Sequence, residues 1–358
     1  MKTIIIAAGG TGGHLYPGVA LARTVVARGC KPIFIVRKND MCCAILKREG
    51  FAFEEIPARG MPRRISLQLV VFLYALIRSF FAALVLVRRL NPTAVVGMGG
   101  YISFPVIVAA KLSKIPTVIH EQNYLPGLAN RVLARFASRV AVTFAGSRSF
   151  FSEQRTVVTG NPVRRELFGV EGDAARERLH LAPGKCTVLV FGGSQGAYAV
   201  NHAVTESYAL LPSTAQNKIQ FLHIAGNKGY EKISAQFREK KIPGVVLPYL
   251  NEIGDAYAVA DIVICRAGAT TISELEILGT PVILVPFPHA TGNHQEFNAR
   301  VLVDSGQGVM IRERELSPQV LARELIVRMN DSSSLHRTIK IPAVLPQELL
   351  ADTVLSLI

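Results

Sequence analysis

Residues 3–14 have the sequence TIIIAAGGTGGH, and residues 186–197 have the sequence CTVLVFGGSQGA. Each is a short apolar run followed by a glycine-rich loop, and helix-like sequence comes after each loop. A glycine loop between a buried strand and a helix leaves backbone N–H groups open at the positive end of the helix dipole, where phosphate groups bind. The repeated pattern predicts two Rossmann-like domains, each beginning with a strand, a glycine loop and a helix.

Elsewhere in the chain, apolar strand-like runs alternate with helix-like stretches, as in parallel α/β proteins. The length of 358 residues suits two domains. We therefore expect an α/β protein whose two Rossmann-like domains face each other across a cleft. A polar passage at residues 161–185 separates the two halves of the chain. The expected strands are residues 3–8, 32–36, 94–96, 117–120, 186–191, 220–225, 245–248, 262–265 and 281–285.

Charge is distributed unevenly along the chain. Residues 1–152 carry 20 Lys and Arg against five Asp and Glu, whereas residues 153–358 carry 20 against 21. Nucleic-acid binding usually shows as basic residues interleaved with stacking aromatics, or as a groove-reading motif, and neither is visible here. The basic half is instead unusually apolar, which favours an anionic membrane surface as its partner and argues against nucleic acid.

Residues 67–87 (LQLVVFLYALIRSFFAALVLV) form an apolar stretch with one charge, Arg78, and with arginine pairs at 63–64 and 88–89. Its length would span a bilayer. A central arginine costs about 2.5–3.5 kcal/mol on insertion scales, and arginines at both ends give no positive-inside asymmetry. We favour a helix packed on its domain with its outer face on the membrane surface. At helical spacing, the expected core face is Phe72, Leu73, Leu76, Phe80, Leu84 and Val87, and the expected outer stripe is Arg64, Gln68, Val71, Ala75, Arg78, Ala82, Val85 and Arg89. The alternatives are a core helix and a transmembrane helix.

The glycine loops alone leave two interpretations open. Neither fits the dinucleotide fingerprint in full, neither has the Lys-Ser/Thr of a P-loop, and either could be only a tight turn. Ser194 and Gln195 favour anion binding by the second loop because they add side-chain donors. In residues 265–274 (CRAGATTISE), Glu274 falls about one turn into a helix, where its carboxylate can accept both hydroxyls of a ribose. Capping of the helix is the alternative.

These motifs occur together with GGY at 99–101, HEQN at 120–123, GNPVR at 160–164, HQ at 294–295 and NA at 298–299. In this order they resemble the MurG family of bacterial enzymes, which transfer N-acetylglucosamine (GlcNAc) from UDP-GlcNAc to lipid I. The product, lipid II, is used for peptidoglycan in cell wall biogenesis, cell shape and division. The resemblance extends to about residue 310.

The resemblance implies a GT-B fold and a hexosyltransferase that is peripheral on the cytoplasmic face of the inner membrane. Residues 1–160 would bind the acceptor and dock on the membrane, and residues 161–335 would bind UDP-GlcNAc. Residues 336–358 are expected to be a helical tail packing back on the first domain. Its partners would be UDP-GlcNAc, undecaprenyl-pyrophosphoryl-MurNAc-pentapeptide (lipid I) and anionic lipid.

The resemblance also assigns roles to single residues. Arg164 and Ser194 would hold the diphosphate, Glu274 the ribose and Gln295 the sugar hydroxyls. Ala267 stands where Ser is common in the family, and Asn293 where Asp is frequent. The expected donor-site residues are Thr11, Gly12, Gly13, Asn123, Arg164, Ser194, Gln195, Gly196, Ala269, Thr270, Thr271, Glu274 and Gln295. The expected membrane and acceptor residues are Arg63, Arg64, Phe72, Arg78, Arg88, Arg89 and Tyr101.

An inverting transfer needs a base for the acceptor hydroxyl and stabilisation of departing UDP. His14 is the first candidate base because imidazole titrates near neutral pH, although it could instead contact acceptor phosphate or orient its loop. Glu121 is the second candidate. The chain has no Asp-x-Asp pair to clamp a metal, so we expect no metal site and no tightly bound cofactor, with a divalent cation at most stimulatory.

Three other functions share some of these features. A glycolipid synthase would use a different lipid acceptor. A UDP-GlcNAc 2-epimerase would release UDP without any lipid acceptor and would not need the apolar basic helix. A non-catalytic adaptor that binds a sugar nucleotide would have no use for His14 beside a phosphate site.

Overall fold

The computed structural model describes residues 1–10, 12–60, 67–193, 196–330 and 339–358, with side chains from residue 69 in the third range. These residues form two compact units. Unit 1 comprises Met1–Arg164 and Ala343–Ile358, and unit 2 comprises Arg165–Pro342. The division lies a few residues beyond the expected boundary at 160, because the buried segment 161–163 still belongs to unit 1.

Unit 1 is built on a seven-stranded parallel sheet of order β3-β2-β1-β4-β5-β6-β7. The strands are β1 Thr3–Ala7, β2 Lys31–Arg37, β3 Phe53–Ile56, β4 Ala94–Gly97, β5 Thr117–Glu121, β6 Arg139–Val142 and β7 Thr156–Val158. The helices are α1 Gly12–Ala27, α2 Cys42–Arg48, α3 Leu67–Leu90, α4 Gly100–Leu112, α5 Leu128–Leu133 and α14 Pro346–Leu355.

Alternation along β1 explains why helices cover both faces of this sheet. Ile4 and Ile6 point into a core shared with α1 and α14, and Ile5 and Ala7 point into a core shared with α3 and α4. All four side chains are fully buried. A strand buried on both faces reads as a continuous apolar run, which is why the sequence reveals it.

Unit 2 is built on a six-stranded parallel sheet of order β10-β9-β8-β11-β12-β13. The strands are β8 Cys186–Phe191, β9 Ile219–Ile224, β10 Gly244–Leu247, β11 Ile262–Cys265, β12 Val282–Leu284 and β13 Gly308–Met310. The helices are α6 Gly172–Arg178, α7 Tyr198–Ser207, α8 Ser213–Gln216, α9 Tyr230–Glu239, α10 Ile253–Val259, α11 Ala269–Leu278, α12 His294–Asp304 and α13 Pro318–Asn330. The expected α/β class with two Rossmann-like domains is confirmed.

Helix α3 is 24 residues long, and its 69–90 segment is the one helix of the described chain long and apolar enough to cross a membrane by length and composition. It packs on α4 through Ala83, Leu86 and Val87, which are buried. Most of its remaining surface is exposed, unlike that of a core helix.

The expected orientation of α3 was partly wrong. Leu73, expected in the core, is exposed, whereas Ala75 and Ala82, expected outside, are half-buried. Because nearly every position of this helix is apolar, the sequence offers little contrast between its faces. The exposed face is more apolar than predicted. We call its most exposed row the α3 ridge; it consists of Val70, Tyr74, Ile77, Phe81 and Val85.

Helix α14 follows unit 2 in the chain but packs on unit 1. Leu350, Ala351 and Val354 are fully buried in the core that contains α1. Arg28, the residue after the end of α1, forms ion pairs with Glu348 and Asp352 of α14. Exposed pairs of this kind contribute little, so apolar burial holds the helix in place.

Truncating a buried contact of α14 should therefore destabilise unit 1. We expect Leu350→Ala to lower the free energy of unfolding by about 2–5 kcal/mol, through lost burial and a residual cavity. Urea unfolding followed by circular dichroism measures this. Leu349→Ala, at the neighbouring and partly exposed position, is the matched control and should change stability by less than about 1 kcal/mol. Equal effects of the two changes would contradict the packing described.

Candidate functional site

The order of the first sheet reverses between β1 and β4, and ligands of open α/β sheets bind at such points, beyond the carboxyl ends of the strands. His14, in the first turn of α1, lies here against the loop that follows β4. Gly99 has a φ of +88°, and a Cβ atom added to it would lie 2.9 Å from His14 Cδ2. The structure therefore brings two of the sequence motifs into contact, and the contact requires glycine.

Two buried polar side chains that sequence reasoning did not single out as site residues hold these loops. The carboxylate of Asp40 accepts hydrogen bonds from the backbone N–H groups of Gly10 and Cys42, each at 3.0 Å. Burial opposes ionisation of Asp40, but these donors and Arg37 outweigh it and lower its pKa. Gln122 donates from Nε2 to the carbonyl of Met98 at 2.7 Å.

Glu121 is the organising group of the loop after β5. Its Oε1 accepts from the backbone and side-chain nitrogens of Asn123 at 3.0 and 3.3 Å. Its Oε2 accepts from the backbone N–H of Gly127 at 3.0 Å and from Asn130 Nδ2 at 2.9 Å. The side chain is 2% exposed, and burial raises its pKa. Four donors converge on this carboxylate, so it holds the loop after β5 in place, and its candidacy as the base stays a prediction.

Arg164 lies beside the first glycine loop. Its guanidinium carbon is 3.8 Å from the centroid of the Tyr16 ring, a cation–π contact. The same ring packs against Gly12, where an added Cβ would lie 3.2 Å from Tyr16 Cε2. The structure therefore groups Arg164 with His14 in unit 1. Tyr101, at the start of α4, is exposed.

In unit 2 the strand order reverses between β8 and β11, and the second glycine loop and the loop after β11 flank this point. Gly196 has a φ of +75°, and a Cβ there would collide with the carbonyl oxygen of Ala225. Ala269, Thr270 and Thr271 form the first turn of α11. The unit thus presents a glycine loop beside a helix N-terminus, an arrangement suited to phosphate.

Glu274 lies in α11 behind this turn. Its side chain is buried, and Tyr257 of α10 donates its phenolic O–H to Glu274 Oε2 at 3.0 Å. Tyr257 is itself buried and packs edge-on against Phe191. The carboxylate is therefore held in one orientation by a group that the sequence motifs did not reveal.

Gln295 and Asn298 of α12 hold the loop after β11. Gln295 Oε1 accepts from the backbone N–H groups of Ala267 at 3.2 Å and Phe287 at 2.9 Å. Asn298 Nδ2 donates to the Ala267 carbonyl at 3.2 Å. Gln295 thus has a structural role through its oxygen in addition to the sugar contact expected of it. Both residues belong to motifs seen in the sequence.

Asn293, which replaces a frequent Asp, has a φ of +57°, a conformation that asparagine tolerates well. Its side chain hydrogen-bonds Glu296 and, with Arg312, lowers the pKa of that carboxyl. Arg312 Nε lies 3.1 Å from Glu296 Oε2. The negative charge in this region is therefore carried by Glu296.

Five predicted site residues lie outside the described residues: Thr11, Arg63, Arg64, Ser194 and Gln195. On α3, Phe72 is half-buried, whereas Arg78, Arg88 and Arg89 are exposed. Arg89 forms an ion pair with Glu54.

Comparisons with known proteins agree with this architecture. Residues 4–142 match the glycosyltransferase family 28 N-terminal domain, and residues 187–354 match the C-terminal domain of that family. A relative from Halothermothrix orenii is 39% identical and aligns over 93% of this chain and 92% of its own length. One from Desulforudis audaxviator is 40% identical over 99% and 97%. The crystal structure of Acinetobacter baumannii MurG is 26% identical, covers 99% of this chain and 100% of its own, and has a TM-score of 0.76.

The two Rossmann-like units and their glycine loops thus define a glycosyltransferase of family 28. Both relatives are named UDP-N-acetylglucosamine–N-acetylmuramyl-(pentapeptide) pyrophosphoryl-undecaprenol N-acetylglucosamine transferase. The chain belongs to the family of these transferases, the MurG family.

His120, beside the first site, gives a pH prediction. Burial lowers its pKa from 6.5 to about 4. Because the unfolded chain takes up this proton at a higher pH than the folded chain, stability is full above pH 6.5 and falls as the pH drops. The loss reaches about 3 kcal/mol near pH 4.

Urea unfolding at pH 7 and pH 4.5, followed by hydrogen exchange of unit 1 amides, measures this loss. His120→Gln should flatten the dependence in unit 1, whereas His202→Gln, at an exposed position of unit 2, should not. An unchanged slope in His120→Gln would refute the assignment.

Proposed function

We propose that this protein transfers GlcNAc from UDP-GlcNAc to the MurNAc C4 hydroxyl of lipid I, giving lipid II. The observation that carries the proposal is near-full-length similarity to transferases named for this reaction, combined with a built site at the switch point of each sheet. An acceptor with a pyrophosphate and a donor with a diphosphate each need such a site.

In unit 1, His14 is the proposed base. It lies at the start of α1 against Gly99. Arg164 packs on the ring of Tyr16, which belongs to the same helix. A neutral imidazole takes the proton of the attacking hydroxyl, and the guanidinium offers two parallel donors to a phosphate. The helix N-terminus adds a fixed positive potential for the acceptor's pyrophosphate.

In unit 2, Glu274 is the proposed ribose group. Tyr257 fixes the carboxylate, so its orientation is set before the nucleotide binds. The glycine loop containing Gly196 and the first turn of α11 would meet the diphosphate, whose negative charge grows as UDP leaves. This places the leaving-group stabilisation on backbone dipoles, with a divalent cation at most stimulatory.

The rival functions lack a supporting observation of this kind. A 2-epimerase has no acceptor, and so gives no reason for an exposed apolar helix with arginines at its ends. An adaptor gives no reason for a histidine held against a glycine loop. A glycolipid synthase differs only in its acceptor, which the assay below decides.

Purified protein should release UDP from UDP-GlcNAc only when a lipid I analogue is present. His14→Ala should lower kcat by about 10²–10⁴-fold with donor affinity nearly intact, because it removes a base. Glu274→Ala should raise the Kd for UDP-GlcNAc at least about tenfold, because it removes charge-assisted hydrogen bonds. Calorimetry and a coupled UDP assay measure both.

His202→Ala is the control and should match the wild type. UDP release without acceptor would favour the epimerase, and release with diacylglycerol would favour a glycolipid synthase. Loss of donor binding in His14→Ala would overturn the role given to His14.

We further propose that unit 1 docks peripherally on the cytoplasmic face of the inner membrane. The α3 ridge exposes five large apolar side chains in a row, with Val85 65% and Phe81 58% exposed. Arg78 and Arg88 lie on the same helix. Apolar insertion with flanking cations is how interfacial helices bind anionic lipid.

Binding to vesicles with anionic lipid should weaken in the double variant Phe81→Ser/Val85→Ser, by about tenfold or more, because apolar area is lost. Arg88→Glu should weaken vesicle binding more at low salt than at high salt, because salt screens the attraction between the arginine and anionic lipid. Vesicle co-sedimentation measures both. Val26→Ser on α1, an exposed apolar site on the other side of the sheet, should have no effect. Equal loss in Val26→Ser would argue against the ridge.

A further inference from the structure

An apolar groove of about 270 Å³ lies between α3 and α4. Among the described residues its lining is entirely apolar: Leu76, Ile77 and Phe80 come from α3, and Phe104, Pro105 and Val108 from α4. Ile77 is exposed at its rim, and Phe104 and Val108 are half-buried, so the groove opens to the surface of unit 1. On their inner side, its lining residues Phe80, Phe104 and Val108 pack against the core that contains Ala83, Val87 and Val106.

We propose that this groove binds the first isoprene units of the acceptor's polyprenyl chain. This proposal rests on the proposed function and adds a binding site to it. The polyprenyl chain would contact the protein at its first isoprene units, and the rest of it would lie in the bilayer. The occupant is the tail of the substrate itself, and not an acyl chain of a surrounding phospholipid.

The course of α4 supports this occupant. The helix begins at Gly100, beside His14, and Tyr101, Phe104 and Val108 follow at spacings of three and four residues, which places them along one side of the helix. The rise from Tyr101 to Val108 is about 10 Å. A substrate whose pyrophosphate lies at the start of α4 can therefore extend its chain along this side directly into the groove.

The size and chemistry of the groove select a single flat hydrocarbon chain. Its volume is too small for a helix, whose diameter with side chains is about 10–12 Å. Two of its lining residues, Phe80 and Phe104, are aromatic. The planar double bonds of an isoprenoid chain can pack on these rings, whereas a saturated acyl chain offers no flat face.

The test separates chain binding from membrane binding by omitting the membrane. KM is measured in detergent-free solution for two water-soluble lipid I analogues, one with two isoprene units and one with a methyl group on the pyrophosphate. We expect the wild type to show a KM at least about tenfold lower for the isoprenoid analogue. Val108→Trp, which fills the groove, should bring the ratio of the two KM values near one, with kcat and the KM for UDP-GlcNAc unchanged.

Further variants keep the result interpretable. Phe104→Ala removes one aromatic wall and should lower the preference in part, which guards against a folding defect in Val108→Trp. Val26→Trp places the same indole on α1 and should keep the full preference. Equal KM values in the wild type, or a full preference in Val108→Trp, would overturn the proposal while leaving the transferase function standing.

Two further outcomes distinguish a different occupant of the groove from a different reaction. If Val108→Trp weakens binding to acceptor-free vesicles and keeps the preference, the groove takes bilayer acyl chains and our assignment is wrong. If no analogue supports transfer at all, the proposed function fails. Calorimetry of a two-isoprene pyrophosphate with the wild type and with Val108→Trp then tests isoprenoid binding by the groove independently of transfer. Binding to the wild type that is lost in Val108→Trp would support the proposal, and equal binding to both would overturn it.

Discussion

The absence of a side chain at two positions is the constraint on which both sites depend. Gly99 lets His14 lie against the loop after β4, and Gly196 lets the second glycine loop lie against Ala225. Both have positive φ, which only glycine adopts without cost. In each unit the close approach occurs beyond the carboxyl ends of parallel strands, where the order of the sheet reverses. The close approaches in unit 1 and in unit 2 thus depend on the same steric solution.

Burial on both faces made β1 and β8 stand out in the sequence, although β6, which is also buried, is absent from the expected strands. β1 and β8 are continuous apolar runs before glycine loops, and they carry most of the information about fold class. β3 has two glutamates among its four residues, and β7 is largely exposed, so neither stands out in the sequence. The buried face of α3 could not be located because apolar residues occupy all its sides.

Residues of the candidate site could be proposed from the sequence where they form local motifs, whereas the groups that hold them from elsewhere in the fold could not. His14, Glu274 and Gln295 each belong to a recognisable stretch. Tyr257 reaches Glu274 from another helix, and Asp40 reaches the first loop from beyond β2. The surroundings of Glu121 were missed for the same reason, because nothing in HEQN shows that four donors converge on that carboxylate.

The discontinuity of unit 1 has a consequence for the order in which the chain becomes structured during synthesis. Unit 2 is a single stretch, Arg165–Pro342, and all of its residues leave the ribosome before α14 does. The core beneath α1 stays open until Leu350, Ala351 and Val354 arrive. Since domains generally fold as units while the chain emerges, unit 2 is complete first. Unit 1 is therefore translated first but completes its core last, when α14 covers the remaining apolar surface.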